Sequence, residues 1–221
     1  MAVRFQPGCS CCEKTGCRIG YEQYEWLNPR YCLCPDSKGV QTDLSVGMNI
    51  TTKLSKCDFV FCGCDNCCTG TYFTSFHYSY LADWINEGGR LYVSGEYNGC
   101  MWPYGFTTIN ELLEGIGSEL RVREGIVDCT CGNIDGPWIM APGSAGIAQG
   151  IDITYACTGY VDGGTTVGYR RDVQEQIFAL EQLGDGIVLV GCDSNILGSA
   201  LCGYNCDFLE RWYTWATEEI V

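Results

Sequence analysis

The sequence predicts an α/β fold built on a doubly wound, mostly parallel sheet, and three observations carry that expectation. Short apolar runs suited to a sheet interior recur at Asp58-Phe-Val-Phe61, Leu91-Tyr-Val93 and Ile187-Val-Leu-Val190. Between the first two, Phe73, Phe76, His77, Tyr80, Leu81, Trp84 and Ile85 recur at three- and four-residue spacing, the period of one helix face. Gly88 and Gly89 follow the last periodic residue, where glycine can take the left-handed conformation that closes a helix. Strand, helix and strand on short connections imply a right-handed crossover joining two parallel strands.

From its start, the chain divides into a cysteine-rich arm, residues 1–35, and an α/β body, residues 36–221. The arm carries Cys9, Cys11, Cys12, Cys17, Cys32 and Cys34 among prolines and glycines, with no helical or alternating period. It reads as irregular and held by its sulfurs. Residues 21–27 alternate weakly and form a candidate first strand, and the stretch from there to Lys56 is turn-rich. After the run at 58–61, Cys62, Cys64, Cys67 and Cys68 crowd one loop. Beyond the helix and strand already described, Thr108-Ile-Asn-Glu111 has the capping-box pattern that opens a helix. Ile109, Leu112, Leu113 and Ile116 line its apolar face, with Gly117 at its end.

Leu120-Arg-Val-Arg123 alternates like a strand with one wet face. Residues 129–150, which hold Cys129 and Cys131 among glycines and prolines, read as loop, and 151–155 and 165–169 read as strands. Residues 173–180 fit a helix and a strand equally well. Gly184-Asp-Gly186 is a turn leading into the buried run at 187–190. A last helix is expected from near Cys206, shortly after Cys202, with Phe208, Leu209, Trp212, Trp215 and Ala216 against the sheet.

Composition narrows the function classes. With 221 residues, 46% of them hydrophobic, the chain can bury a full core. A net charge of −14 with only 13 scattered Lys and Arg argues against nucleic acid and against an anionic membrane surface. No apolar run approaches the roughly 20 residues that span a bilayer. The opening Met-Ala-Val-Arg-Phe-Gln-Pro7 has no apolar core, so no secretory signal peptide is visible.

The 18 cysteines among 221 residues, about 8%, reach the density of disulfide scaffolds or metal clusters. A start without a signal normally means a reducing cytosol, where zinc binding or buried thiols are commoner than disulfides. A protein made in the cytosol and exposed later to an oxidising exterior, as a virus particle component is after lysis, escapes that conflict. The arm's Cys-x-Cys-Cys-x4-Cys spacing is not that of a zinc ribbon, and no histidine accompanies it. Disulfides are therefore expected at Cys9, Cys11, Cys12, Cys17, Cys32, Cys34, Cys62, Cys64, Cys67, Cys68, Cys129, Cys131, Cys202 and Cys206, with zinc at these clusters as the alternative. No other cofactor or metal is expected.

Ligands of an open α/β sheet sit at the carboxyl ends of its strands. Here those ends lead into Cys62-Gly-Cys64, Ser94-Gly-Glu96-Tyr-Asn98 and Gly191-Cys-Asp-Ser-Asn195. Glu96, Asp193, Ser194 and Asn195 are expected together at that edge, where they can hold a small ligand or a cation. Short polar side chains there can equally serve to cap the turn. Tyr97, Trp102, Tyr104 and Trp138, in glycine-rich loops, are candidates for a contact surface.

Taken together, the segment from Leu81 to Asn98, the Asn110-Glu-Leu-Leu helix, Ala141-Pro-Gly-Ser-Ala-Gly-Ile147 and Leu183-Gly-Asp-Gly-Ile-Val-Leu-Val-Gly-Cys-Asp-Ser-Asn195 resemble the class I glutamine amidotransferase-like (flavodoxin-like) fold, in its non-catalytic branches. The resemblance covers roughly residues 55 to 217. It implies that an enzyme of the family would carry a cysteine nucleophile in the turn after the strand at 91–93 and a late histidine to activate it. Glu96 stands at that turn, Cys100 comes four residues later, and the sole histidine, His77, lies in the first helix. The resemblance therefore implies a protein without the family's catalysis. Phe5-x-Pro-Gly-Cys9-x-Cys-Cys12 is similar to the cysteine-rich openings of some bacteriophage tail-associated proteins, over eight residues. The expected role is a structural or adhesion protein of a virion tail, baseplate or tail fibre, extracellular after release. Its partners would be protein subunits of a larger assembly, joined in part by disulfides.

Overall fold

The computed structural model describes residues 16–19, 40–43, 50–57, 59–62, 75–95, 105–123, 139–142, 152–155, 158–169 and 174–192. Among these residues the strands are β1 (Gly16–Ile19), β2 (Val40–Asp43), β3 (Phe59–Cys62), β4 (Arg90–Ser94), β5 (Arg121–Arg123), β6 (Ile139–Pro142), β7 (Asp152–Tyr155), β8 (Tyr160–Asp162), β9 (Thr165–Tyr169), β10 (Gln176–Leu183) and β11 (Gly186–Gly191). The helices are α1 (Ile50–Leu54), α2 (Ser75–Asn86) and α3 (Gly105–Gly115). Seven strands form one sheet in the order β2-β1-β3-β4-β11-β10-β9. β5 pairs with β8, and β6 with β7, as two-stranded antiparallel ladders.

Within the large sheet β1 lies parallel to β2 and β3, and β4 lies parallel to β3 and β11. β10 runs antiparallel between β11 and β9. The fold is α/β with a mixed sheet: β11 keeps the parallel winding against β4, while β10, antiparallel to both β11 and β9, departs from the parallel winding read in the sequence. The reason is the turn at Gly184-Asp185, which leaves Leu183 and Gly186 paired across it. Gly184 has φ 58°, the backbone a two-residue hairpin loop requires, and a connection that short permits only an antiparallel neighbour. The same turn resolves the ambiguity over residues 173–180, since the strand begins at Gln176 and continues to Leu183.

Side chains alternate across a strand, so the buried residues sort onto two faces. Val60 and Cys62 of β3, Leu91 and Val93 of β4, and Val188 and Val190 of β11 share one hydrophobic cluster with Leu54 of α1, Tyr78, Leu81 and Ile85 of α2, and Ile109, Leu112, Leu113 and Ile116 of α3. All three described helices therefore cover the same face. The opposite face presents Phe59, Tyr92, Leu189 and Phe178, also buried. Helices on both faces, as a doubly wound sheet requires, are not seen among the described residues.

Both long helices end as their glycines predict. Gly88 has φ 108°, with Gly89 N–H donating to the Trp84 carbonyl and Gly88 N–H to that of Ile85, each at 2.9 Å. Gly117 has φ 82°, with Ser118 N–H donating to Leu113 at 2.8 Å and Gly117 N–H to Glu114 at 3.0 Å. This paired pattern is a Schellman closure, in which glycine satisfies two orphan carbonyls without a Cβ penalty.

Several sequence expectations are corrected. Residues 16–19, assigned to an irregular arm, form β1 between β2 and β3, so the sheet draws on the chain well before residue 36. Residues 139–142, read as loop, form β6 paired with β7; Pro142 sits at the strand's last position, where it interrupts the apolar pattern. The Thr108–Glu111 capping box lies inside α3, which begins one turn earlier at Gly105. The stripe on α2 marks its packing face in part: Leu81 and Ile85 are buried, and Tyr80 and Trp84 pack against the same core. Tyr78, outside the stripe, joins that face, while Phe76, within it, is 68% exposed. The candidate strand at 21–27 and the helix from Cys206 lie outside the described residues.

The β10–β11 turn is seated on the end of α2. Asp185 N–H donates to the Asn86 carbonyl at 3.0 Å, and Ile187 N–H to that of Gly89 at 3.1 Å. A Cβ on Gly186 would collide with the carbonyl oxygens of Ile85 and Gly89, which are backbone and cannot turn aside. Gly186→Ala is expected to cost about 2 kcal/mol or more, similar to the roughly 2–5 kcal/mol for Leu81→Ala in the core. Denaturant unfolding followed by circular dichroism measures both.

Candidate functional site

The carboxyl edge of the sheet, where the sequence places a site, is assembled from the ends of β3, β4 and β11. Cys62 closes β3 level with Val93, and Ser94 closes β4 level with Gly191. Gly95 N–H then donates to the Gly191 carbonyl at 2.6 Å, so the two parallel strands stay joined past their formal ends. Glu96 and Asp193 each follow the last described residue of these neighbouring strands by one peptide bond. Glu96, Asp193, Ser194, Asn195 and Cys100 themselves lie outside the described residues, as do Tyr97, Trp102, Tyr104 and Trp138.

The groups described at this edge are already engaged. Thr158 is fully buried, and its hydroxyl lies 2.8 Å from the Cys192 carbonyl and 2.9 Å from that of Gly159. Gly159 N–H donates to the same Cys192 carbonyl at 3.0 Å, while Cys192 N–H donates to the Ile177 carbonyl at 3.1 Å. The position Gly95 would give a side chain is 3.4 Å from Cys192 Cα, the Gly191 carbonyl oxygen and a methyl group of Val122. The exit of β4 is thus walled by β11 on one side and β5 on another.

That wall is held by two side chains working as backbone substitutes. Asn110 of α3 donates through Nδ2 to the Val122 carbonyl at 2.9 Å and accepts the Val122 N–H at 2.8 Å, as a neighbouring strand would. The Glu181 carboxylate on β10 accepts the Ser118 hydroxyl at 2.5 Å and the Glu119 N–H at 3.0 Å. Asn110 and Glu181 fix the turn between α3 and β5 from both sides. On the outer end of β5, Arg123 pairs with Asp162 at 3.1 Å and Glu175 at 3.0 Å, and its guanidinium carbon stands 5.3 Å from the centre of the Tyr160 ring. Slight desolvation pulls its pKa down, but the two carboxylates outweigh it and raise the pKa above its ordinary value, so the cation persists. These pairs are half-exposed and contribute little stability.

The cysteines fall into four groups. Cys62, expected in a disulfide, is instead a fully buried thiol, as is Cys192. Both belong to the hydrophobic cluster of the core. Cys57, at the end of the turn after α1 and not singled out in the sequence, is disulfide-bonded. Its position five residues ahead of the Cys62 to Cys68 cluster is the sequence signal by which it could have been found. The backbone of Cys17 runs in β1. Cys9, Cys11, Cys12, Cys32, Cys34, Cys64, Cys67, Cys68, Cys129, Cys131, Cys202 and Cys206 lie outside the described residues, and with them the clusters considered for zinc. Among the described residues no three His, Cys, Asp or Glu side chains gather as a metal site. No described helix is long and apolar enough to cross a membrane.

His77 sits in the first turn of α2, half-buried, with its ring edge-on to Phe76 at 5.5 Å between centres. Cys62 and Cys192, the thiols described near the edge, are 0% exposed, and a nucleophile must be reached by its substrate.

No protein-family model and no curated protein sequence matches the chain. Solved structures do resemble it. The N-terminal domain of mmIFT52 aligns with a TM-score of 0.59 at 15% identity, over 81% of this chain and 85% of that one. A cytoplasmic protein from Salmonella typhimurium aligns with a TM-score of 0.54 at 10% identity, over 91% of this chain and 98% of that one. A second cytoplasmic protein, from Salmonella typhimurium LT2, aligns at 0.51 with 11% identity, over 88% and 97%. At these identities the likeness is one of fold alone. It extends over most of each chain, so what is shared is a whole α/β unit.

Two outcomes are expected from this geometry. Asn110→Ala leaves both backbone groups of Val122 without partners and is expected to lower unfolding free energy by about 1–3 kcal/mol, measurable by urea titration. Cys62 and Cys192 are expected to resist a bulky thiol reagent in the native protein and to label fully in guanidinium, with peptide mapping as the readout.

Proposed function

We propose that this chain is a non-enzymatic structural or adhesion protein, most concretely a bacteriophage virion component of the tail, baseplate or tail fibre. Its α/β body, read as a non-catalytic relative of the doubly wound class I glutamine amidotransferase-like fold, acts as a rigid support. Its cysteine-rich arm cross-links within the chain or to neighbouring subunits after release into an oxidising exterior. The observation that carries this reading is the engagement of the groups described at the carboxyl edge. There the hydroxyl of Thr158, the Gly95 and Gly159 amides and the buried Cys62 and Cys192 are committed to packing and backbone hydrogen bonds. The disulfide at Cys57 supports the oxidising compartment, because such bonds persist poorly in a reducing cytosol.

A second reading is a hydrolase or transferase with a rearranged site. It draws on the parallel pairing of β4 and β11, whose ends lead directly to Glu96 and Asp193. Thiol counting by mass spectrometry with and without reductant, beside elemental analysis for zinc, separates the possibilities for the arm. Disulfides involving Cys9 to Cys34 are expected, and a reduced, metal-free arm in assembled material would reject the cross-linking role. Glu96→Gln and Asp193→Asn are expected to leave a panel of amides, esters and glycosides equally untouched. Turnover by the wild type that either variant abolishes while keeping its fold would establish the enzyme instead.

A further inference from the structure

Along α2 and the turn that follows it, Phe76, Asp83 and Glu87 are exposed and Tyr80 is half-buried, its inner side packed against the core; at spacings of four, three and four the four residues form one ridge. Phe76 is the large hydrophobic side chain exposed among the described residues, at 68%. Its ring meets those of the half-buried His77 and Tyr80 edge-on, at 5.5 and 5.6 Å between centres, so an exposed ring stands over two partly covered ones. One helical turn along, Asp83 and Glu87 are exposed. The helical layer continues this sign, since the exposed charges described on α3 are Glu111 and Glu114, and Lys56 after α1 is the exposed cation described beside them.

An exposed phenylalanine at the outermost position of a helix contributes nothing to the core, and a cluster of rings backed by carboxylates has the composition of a recognition surface. Charge decides the occupant. A second copy would bring another acidic layer and another net charge of −14 against this one, which opposes self-pairing. We propose that the α2 ridge is a docking surface for a basic, apolar segment of another protein. A leucine or aromatic side chain of that segment would pack on Phe76 and Tyr80, with lysine or arginine placed over Asp83 and Glu87. Arginine suits the site twice, as an ion-pair donor and as a cation over the rings.

The inference rests on the assembly reading, for which it names the contact face. Its test uses the full chain and two short amphipathic peptides that share their leucine and tryptophan residues, one with lysine and arginine on its flank and one with glutamate in their place. Fluorescence anisotropy of each labelled peptide is recorded at low and at near-physiological ionic strength. The basic peptide is expected to bind and the acidic one not. Phe76→Ser, Tyr80→Ser and Asp83→Lys are each expected to weaken binding by about tenfold or more, with thermal unfolding verifying the fold. Glu119→Lys makes the same charge change off the ridge and should leave affinity within about twofold. Equal loss in Glu119→Lys would reduce the effect to diffuse attraction and overturn the proposal. Indifference to both Phe76→Ser and Tyr80→Ser would overturn it too, as would wild-type self-association that these substitutions abolish. Turnover abolished by Glu96→Gln would instead defeat the assembly reading while leaving ridge binding measurable.

Discussion

The fold turns on the close contact between the end of α2 and the turn that begins β11. Ile187 N–H and Asp185 N–H bond to the carbonyls of Gly89 and Asn86, so the chain that has just left a helix receives a strand from nearly a hundred residues later. Gly186 lies so near the Ile85 and Gly89 carbonyls that no side chain fits between them. This contact sets the register of β11 against β4, from Ile187 opposite Arg90 to Gly191 opposite Ser94. Everything at the far end of those strands inherits its position from there, including Gly95 against Gly191 and Thr158 against Cys192.

A polar edge organised in this way is costly to open. Each buried amide and hydroxyl there has exchanged water for a backbone partner, and freeing one for chemistry would strand the other. Asn110 and Glu181 act on the same principle at a distance, supplying side-chain atoms where β5 lacks a strand neighbour. Such substitution makes a frame stiff at little cost in core area.

Much of the frame was legible in the sequence because its signals are local. Gly88 and Gly117 announce helix ends through their own backbone freedom, and Ile187-Val-Leu-Val190 announces a strand buried on both faces. The features that escaped depend on distant partners. β1 and β6 are four residues each, too short for a period, and exist because β3 and β7 pair with them. The direction of β10 follows from one two-residue turn. The stripe on α2 found Leu81 and Ile85 but was too wide, because periodicity marks neighbours on a helix without fixing the edges of the face that meets the sheet: Phe76, on the stripe, is exposed, and Tyr78, off it, packs against α3 at Gly115. At the carboxyl edge, the sequence singled out three strand ends that the structure sets side by side. It could not distinguish Cys62 from the cysteines after it, since burial under α2 is a tertiary fact.

The strand order carries a consequence for how the protein is made. β4 occupies the middle of the sheet, yet one of its two neighbours is β11, about 97 residues downstream when Ile187 is matched to Arg90. At ribosomal rates of about 5–20 residues per second, the nascent chain waits roughly 5–20 seconds with one side of Leu91, Tyr92 and Val93 unpaired. During that interval a bare apolar edge invites pairing with other chains. Acidic residues are concentrated after β4, so the growing chain turns steadily more negative, and growing copies repel one another more strongly, as the late hairpin that closes the gap is made.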